Sequence, residues 1–335
     1  MKLTVSQRSV LELLLAQLKR PQKVLVVGDV GLDRYTEGSV DRISPEAPVP
    51  IVRVEREFLK LGLAANVADN IRALGSEPWL LGVVGSDRVA TDFRKVLKAE
   101  RISDTHLIID SRRRTVLKER IVSERQQLLR VDYEDSSTIS ESASRRLMAK
   151  MDRLVPKAEI IILEDYCKGM LHPAAVKHLF ALAHRHRKLV LVDPNAKSAM
   201  SLYEGADLLT PNTKEAEALS GVAIVDEATL AKAGAVILKK TRAPRLIITR
   251  GKEGMAIFEK GRRGVAVIPT YAREVYDVSG AGDTVISVLA LALGVGAAVE
   301  DAARLANLAA AIEVSKRGTA TVSLTEIREA LSSWA

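Results

Sequence analysis

Late in the chain the run DVSGAGDT occupies residues 277–284, between an apolar strand-like segment and an apolar helix-like one. Gly280 and Gly282 allow backbone angles closed to other residues, and the chain from Thr284 onward reads as a helix. The first turn of a helix leaves N–H groups unpaired and carries the positive end of the helix dipole, so the amides of Gly280, Ala281 and Gly282 can hold a phosphate. Asp283 then stands within reach of whatever attacks that phosphate, and a carboxylate is the usual proton acceptor from a hydroxyl in kinase chemistry. Taken alone, the run reads more simply as a glycine turn with an aspartate complementing a helix dipole, because short motifs match freely.

Two further features bear on that choice. The chain contains neither a GxxxxGK[ST] run nor a GxGxxG run, so if a nucleotide binds, the turn at 280–282 is the remaining anion cradle. Polar residues also gather at the ends of the apolar runs: Asp29, Asp33, Asp165, Asp193, Asn195, Asn212, Glu215, Thr249 and Gly251. Any one of them can cap a helix. Their repeated placement at one edge of a sheet describes a ligand-binding rim.

The elements that must carry these residues are visible in the hydrophobic pattern. Continuous apolar runs at 23–28, 79–85, 159–163, 188–192, 206–210 and 244–249 suit strands buried on both faces of a parallel sheet. Amphipathic stretches of helical period separate them, which predicts a doubly wound, mostly parallel α/β sheet flanked by helices. Segments 34–57 and 112–134 break the rhythm with alternating, β-branched residues and are expected to pair into a small antiparallel β lid. Such a cover excludes water during group transfer. Arg42, Lys118 and Arg120 lie in these lid segments, where cations can close over a distal phosphate; Arg112 to Arg114 are read as a solvated strand face. Residues 1–22 are expected to form an amphipathic helix docked on a single domain spanning 23–335.

Composition narrows the partners. The chain has 335 residues, 47% of them hydrophobic, and a formal net charge of +8, which favours anionic ligands. Aromatics make up only 4% and are not interleaved with basic runs, so nucleic acid is not expected as a partner. Cys167 is the only cysteine, which excludes an intramolecular disulfide and cysteine-rich zinc sites and fits a reducing compartment. His184 and His186 sit two apart, a spacing that separates them on a helix and reads as a solvated basic face. The apolar run at 286–299 is too short to span a bilayer, so it is expected as a buried helix in a cytoplasmic protein without membrane contact.

From Val24 to Ser323 the chain resembles the ribokinase-like sugar kinases, through GDVGLD (28–33), AANVA (64–68), TPNTKEAE (210–217), TRGKEG (249–254) and DVSGAGDT (277–284). Within that family, RISPEAPVP (42–50), QQLLRVDYE (126–134), EDYCKG (164–169) and REVYDVSGAGDTVI (273–286) resemble the D-glycero-β-D-manno-heptose 7-phosphate kinase branch. The resemblance implies ATP as phosphoryl donor, Mg²⁺, and transfer to the anomeric C1 hydroxyl of the heptose 7-phosphate, for ADP-heptose and lipopolysaccharide core synthesis. It implies Asp283 as base and the turn at 280–282 as anion hole. It places Asn212 and Glu215 at the Mg²⁺ and phosphates, and Thr249, Gly251, Gly254 and Asn307 near the nucleotide. Asp277 begins a loop that in some relatives holds a monovalent cation such as K⁺. Asp33, Gly62, Asn66 and Asp165 match sugar contacts.

Three positions depart from that branch: Leu63 stands where a second glycine is usual, Asn195 where lysine is usual, and Gly31 where a bulky residue is usual. A leucine at 63 is expected to narrow the sugar site or shift the backbone. Another sugar, sugar phosphate or nucleoside as acceptor, and an inactive sugar- or nucleotide-binding sensor, are the competing readings. Exposed lid edges suggest a homodimer. The resemblance further implies that the following nucleotidyltransferase step is supplied by a separate protein or by another part of a longer chain.

Overall fold

The computed structural model describes residues 3–123, 126–262, 264–272, 275–316 and 320–333. Eight strands form its central sheet: β1 (Lys23–Gly28), β4 (Glu77–Leu81), β9 (Ile160–Glu164), β10 (Leu189–Asp193), β11 (Leu208–Leu209), β12 (Arg245–Thr249), β13 (Met255–Glu259) and β14 (Ala266–Ile268). They run in the order β14-β13-β12-β11-β10-β9-β1-β4, parallel from β4 to β12 and antiparallel across the last two pairings. A separate short pair, β5 (Val83–Val84) and β6 (Ile108–Ile109), adjoins the lid.

The unbroken apolar runs have the expected cause, since each strand is covered on both faces. Val24 and Val26 of β1 enter one core with Ile160, Ile162 and Leu191, whereas Leu25 and Val27 enter the other with Ile161, Leu163 and Val192. The first core is roofed by α1 (Val5–Gln17), α2 (Ala64–Ala73), α3 (Arg88–Ala99), α8 (Ala281–Gly294), α9 (Val299–Glu313) and α10 (Leu324–Ser333). The second is roofed by α4 (Glu141–Leu154), α5 (Pro173–Arg185), α6 (Thr213–Ser220) and α7 (Glu227–Thr241). In α1, Leu11, Leu14 and Leu15 are buried and the helix packs on α9 and α10. Residues 286–294 of the glycine-bearing apolar run lie in the helix α8, while its last residues turn and enter α9; among the described residues no helix is long and apolar enough to cross a membrane.

The lid is a second sheet of β2 (Val30–Ile43), β3 (Pro50–Leu63), β7 (Val116–Ser123) and β8 (Gln126–Tyr133), in the order β3-β2-β7-β8. Both hairpins are antiparallel, and the β2–β7 seam between them is parallel. The strands start nearer the core than the sequence pattern indicates, because β2 continues straight out of β1 after Asp29 and β3 runs directly into α2. Asp33 is therefore registered beside Lys118, and Tyr35 beside Arg120.

Leu63, at the β3–α2 junction, has φ 58° and ψ −142°, a conformation open mainly to glycine. Its side chain is buried against Gly31, where an added Cβ would lie 3.1 Å from Leu63 Cδ1 and 2.6 Å from the Val116 carbonyl oxygen. The two departures are therefore neighbours: the backbone keeps its glycine-like turn, and the missing side chain at 31 makes room for the leucine.

A tighter constraint lies between β1 and β9. Gly28 pairs with Glu164, and a Cβ at Gly28 would fall 2.4 Å from the Glu164 carbonyl oxygen. Gly28→Ala should therefore lower the unfolding free energy by about 1–3 kcal/mol, seen as a lower urea midpoint at unchanged slope; an unchanged midpoint would show that the strands separate freely here.

Candidate active site

Asp283 lies in the first turn of α8 and is 8% exposed. Its carboxylate accepts the Asn66 side-chain amide at 2.5 Å and the Tyr166 hydroxyl at 3.0 Å. Asn66 is brought there by α2, which packs along α8 and is pinned to it by Thr284 Oγ1 donating to Asn70 at 2.9 Å. Burial pushes the Asp283 carboxyl up to about 6, against the lowering effect of the hydrogen bonds from Asn66 and Tyr166. A carboxylate poised near neutrality and fixed through both oxygens suits proton abstraction.

The turn before it has the form that anion binding requires. Gly280 caps α8 at φ 97°, a left-handed conformation, and no side chain caps the helix. The N–H of Ala281 leans on the Val278 carbonyl oxygen at 3.4 Å, while those of Gly280 and Gly282 have no acceptor among the described residues. Asp277, which opens the run, is half-buried and accepts the Ser279 amide at 2.9 Å, so it shapes the turn. Arg273 and Glu274, at the start of the longer motif, lie outside the described residues.

Beneath the turn sits a group of acids. The register pairs Glu164 with Asp193 at the ends of β9 and β10, and one oxygen from each lies within 4.8 Å of an oxygen of Asp283. Burial first, then the charges of Asp193 and Asp283, push the Glu164 carboxyl well above the usual range. Burial and then Glu215 and Asp283 do the same to Asp193. Asn212 and Glu215 form a reciprocal capping box on α6: Glu215 N–H donates to Asn212 at 3.0 Å, and Asn212 N–H donates to Glu215 Oε2 at 2.8 Å. The other Glu215 oxygen is outside that box, and the charge of Glu215 bears on Asp193.

On one side of the turn opens a cavity of about 420 Å³ lined by Thr249, Gly251, Gly254, Ala281, Gly282 and Asn307, with Val275, Val278, Met255 and Val314 as apolar walls. Asn307 donates to the Pro269 carbonyl oxygen at 2.8 Å, and Gly254 is held at φ 82° where a Cβ would lie 2.0 Å from the Ile268 carbonyl oxygen. A larger surface hollow of about 970 Å³ around Phe180, Glu204 and Arg242 contains none of the residues above.

On the other side the lid contributes Asp33, Lys118 and Arg120. Asp33 is 5% exposed and pairs with Arg120 at 2.7 Å, and a Cβ at Gly62 would stand 3.2 Å from its carboxyl carbon. Lys118 Nζ lies 5.8 Å over the Tyr166 ring and forms no salt bridge among the described residues; burial lowers its pKa.

Two expected contacts are not brought here. Arg42 is exposed near the far end of β2, nine residues beyond Asp33 and so about 30 Å away at strand rise. Asp165 is engaged in scaffolding, its carboxylate accepting from Cys167 N, Ser198 Oγ and Tyr203 Oη at 2.8, 2.5 and 2.7 Å. Asn195 supports the same loop by donating to the Asp165 carbonyl oxygen at 3.2 Å. Arg112 and Arg114 are exposed, but Arg113 is half-buried and not on a solvated face: its guanidinium donates to the carbonyls of Asp135 and Lys168, tying down the loop after β9. Sequence reasoning missed Tyr166 and Glu164, adjacent to Asp165; their signal is that Glu164 continues the inward parity of Ile160 and Ile162.

The chain matches the profile of the pfkB family carbohydrate kinases over residues 21–326. It is 44% identical over 303 residues to the bifunctional protein HldE of Geobacter sulfurreducens, a match that takes in 90% of this chain and 61% of that one. The chain thus spans about three fifths of the length of the curated relatives it matches. The fold is shared with Escherichia coli phosphofructokinase-2 in complex with potassium, at a TM-score of 0.77 and 19% identity over 94% of this chain and 99% of that one. Arabidopsis thaliana ribokinase complexed with ribose and ATP gives a TM-score of 0.74 and 18% identity over 93% and 99%.

Removing the acid at 283 should cost the most. Asp283→Asn should lower turnover about 10²- to 10⁴-fold at an unchanged melting temperature; turnover within a factor of two of wild type would remove Asp283 from the chemistry. Protonated Asp283 cannot accept a proton, so kcat/KM should rise with pH through about 6 and then level off. Tyr166→Phe deletes a hydrogen bond to the charged form, so the midpoint should move to higher pH; a fixed or lowered midpoint would contradict it.

Proposed function

Because the chain belongs to the pfkB family of carbohydrate kinases, we propose that it transfers the terminal phosphoryl group of ATP to the C1 hydroxyl of D-glycero-β-D-manno-heptose 7-phosphate, giving the 1,7-bisphosphate. The observation that carries this reading is the position of Asp283, between an amide-lined turn on one side and the lid ammonium of Lys118 on the other. The 44% identity to the bifunctional protein HldE, together with the stretches that resemble the heptose 7-phosphate kinase branch, supports the choice of sugar.

In this reading the base of ATP occupies the apolar cavity beside Gly251 and Gly254, and its phosphates reach the Gly280 to Gly282 turn. There the unpaired N–H groups stabilise charge that develops on the transferred group. Asp283 accepts the proton of the acceptor hydroxyl while Asn66 and Tyr166 keep its carboxylate aimed. Asp33, held by Arg120, faces the sugar hydroxyls, and Lys118 takes the distal phosphate. The lid closes over both and excludes water.

The residues present fit Mg²⁺, since Glu215 keeps one carboxylate oxygen outside its capping box and its charge bears on Asp193, so the two acids offer hard oxygen donors. When bound, Mg²⁺ would neutralise charge on the phosphates. A monovalent cation beside Asp277 belongs to the same reading, supported by the fully buried Glu313, whose carboxyl is pushed up to about 8 by burial first and also by the charges of Asp277 and Asp283. Exposed Val54 and Leu129 on the outer strands of the lid favour pairing with a second copy. The following nucleotidyl transfer is then the work of a partner activity.

The test is incubation with ATP and synthetic D-glycero-β-D-manno-heptose 7-phosphate, following ADP release and fixing the new phosphate by ¹H–³¹P correlation NMR. Phosphate on C1 is expected; turnover of other sugars with none of this one would overturn the reading. Lys118→Ala should raise the acceptor KM about 10- to 100-fold, the value of a charge-assisted hydrogen bond of about 1.5–3 kcal/mol, with the ATP KM within twofold.

A further inference from the structure

Among the described residues that line the cavity beside the α8 turn, Lys252 is the one with a charged side chain. It has no part in the chemistry above, which gives the apolar walls to the base of ATP and the turn at 280–282 to the transferred phosphoryl group. Two phosphates remain between those ends, and they stay behind on ADP with their charge. An anion drawn from water against apolar walls is costly unless a cation or a hydrogen-bond donor meets it.

Local structure leaves the Lys252 ammonium available to a ligand. Strand β12 ends at Thr249, which bridges to Asn212 at the cap of α6. The chain then reverses over a tight turn in which Arg250 N–H donates to the Gly254 carbonyl oxygen at 2.8 Å. Within it, Glu253 N–H donates to the Arg250 carbonyl oxygen and Gly254 N–H to that of Gly251, both at 3.0 Å. Lys252 stands at the head of this turn, its backbone held from both sides while its side chain is exposed at the cavity wall. The charged neighbours offset each other, because Arg250 pairs with Glu253. Lys252 forms no salt bridge among the described residues, so its charge is uncommitted. Thr249 and Gly251, just before it in sequence, share the cavity with Ala281 and Gly282 of the amide-lined turn. A compact ammonium on a flexible stem suits a phosphate, which it meets as a point charge.

We propose that Lys252 binds the phosphates that remain on ADP and thereby sets the preference of this cavity for nucleoside di- and triphosphates over the bare nucleoside. The identity of the occupant rests on the kinase reading. Backbone amides at 280–282 and the ammonium of Lys252 then meet the polyphosphate from two elements, and the apolar walls are left to the base.

The experiment is isothermal titration calorimetry of the full chain with ADP and, separately, with adenosine, in the absence of any acceptor sugar. Lys252→Gln should weaken ADP binding about 3- to 30-fold, between the value of an exposed ion pair and that of a charge-assisted hydrogen bond, and leave adenosine within twofold. Lys252→Arg keeps the charge and should bind ADP more tightly than Lys252→Gln does. Because Lys252 is exposed, all three proteins should melt together. An ADP loss below threefold in Lys252→Gln, or an equal loss in Lys252→Arg, would overturn the assignment. So would an equal loss for adenosine, since a stem packed on the base would act on both ligands. Wild type that binds ADP yet leaves heptose 7-phosphate untouched would keep this inference and sink only the choice of acceptor, whereas absence of ADP binding would sink both.

Discussion

The hydrogen bond from Asn66 to Asp283 joins the two halves of this molecule. Asn66 belongs to α2, which continues the lid strand β3, and Asp283 belongs to α8, which lies over the ends of the central strands. Any shift of the lid therefore moves the group that aims the acid. Two more polar contacts cross the otherwise apolar seam, with Thr284 donating to Asn70 and Ser287 to the Val67 carbonyl oxygen. Buried contacts of this kind fix one registry between two helices, because sliding would leave each polar group unpaired.

That registry is what allows the site to concentrate charge of both signs. Four carboxylates, Glu164, Asp193, Glu215 and Asp283, converge beneath a helix terminus whose free amides are positive. On the lid side stand Lys118 and Arg120, the latter already neutralised by Asp33. An anion entering between them meets donors from the backbone and from the lid, while the acids below remain free for protons and cations. In the proposed reading, these opposing surfaces let a single turn serve a group as highly charged as a triphosphate.

Leu63 shows how such a site accommodates change. Its glycine-like backbone is held by β3 on one side and α2 on the other, so the junction tolerates a leucine only where Gly31 supplies the volume. The strain is local, and it adjoins Gly62, whose lack of a side chain leaves room for the Asp33 carboxylate.

The order of elements was legible in the pattern of residues, since unbroken apolar runs at strand length demand cover on both faces and amphipathic intervals supply it. The glycine run at 280–282 and Asp283 were legible too, because helix starts and special backbone angles are local chemistry. The roles of neighbours were not. Asp165, Tyr166 and Glu164 are consecutive, yet one ties a loop, one donates to the acid, and one is buried without a partner. Local sequence shows only that three polar residues follow a strand. Which of them faces α8 depends on strand parity, on the register of β9 with β10, and on a helix over a hundred residues away, and those are decided only when the sheet is assembled.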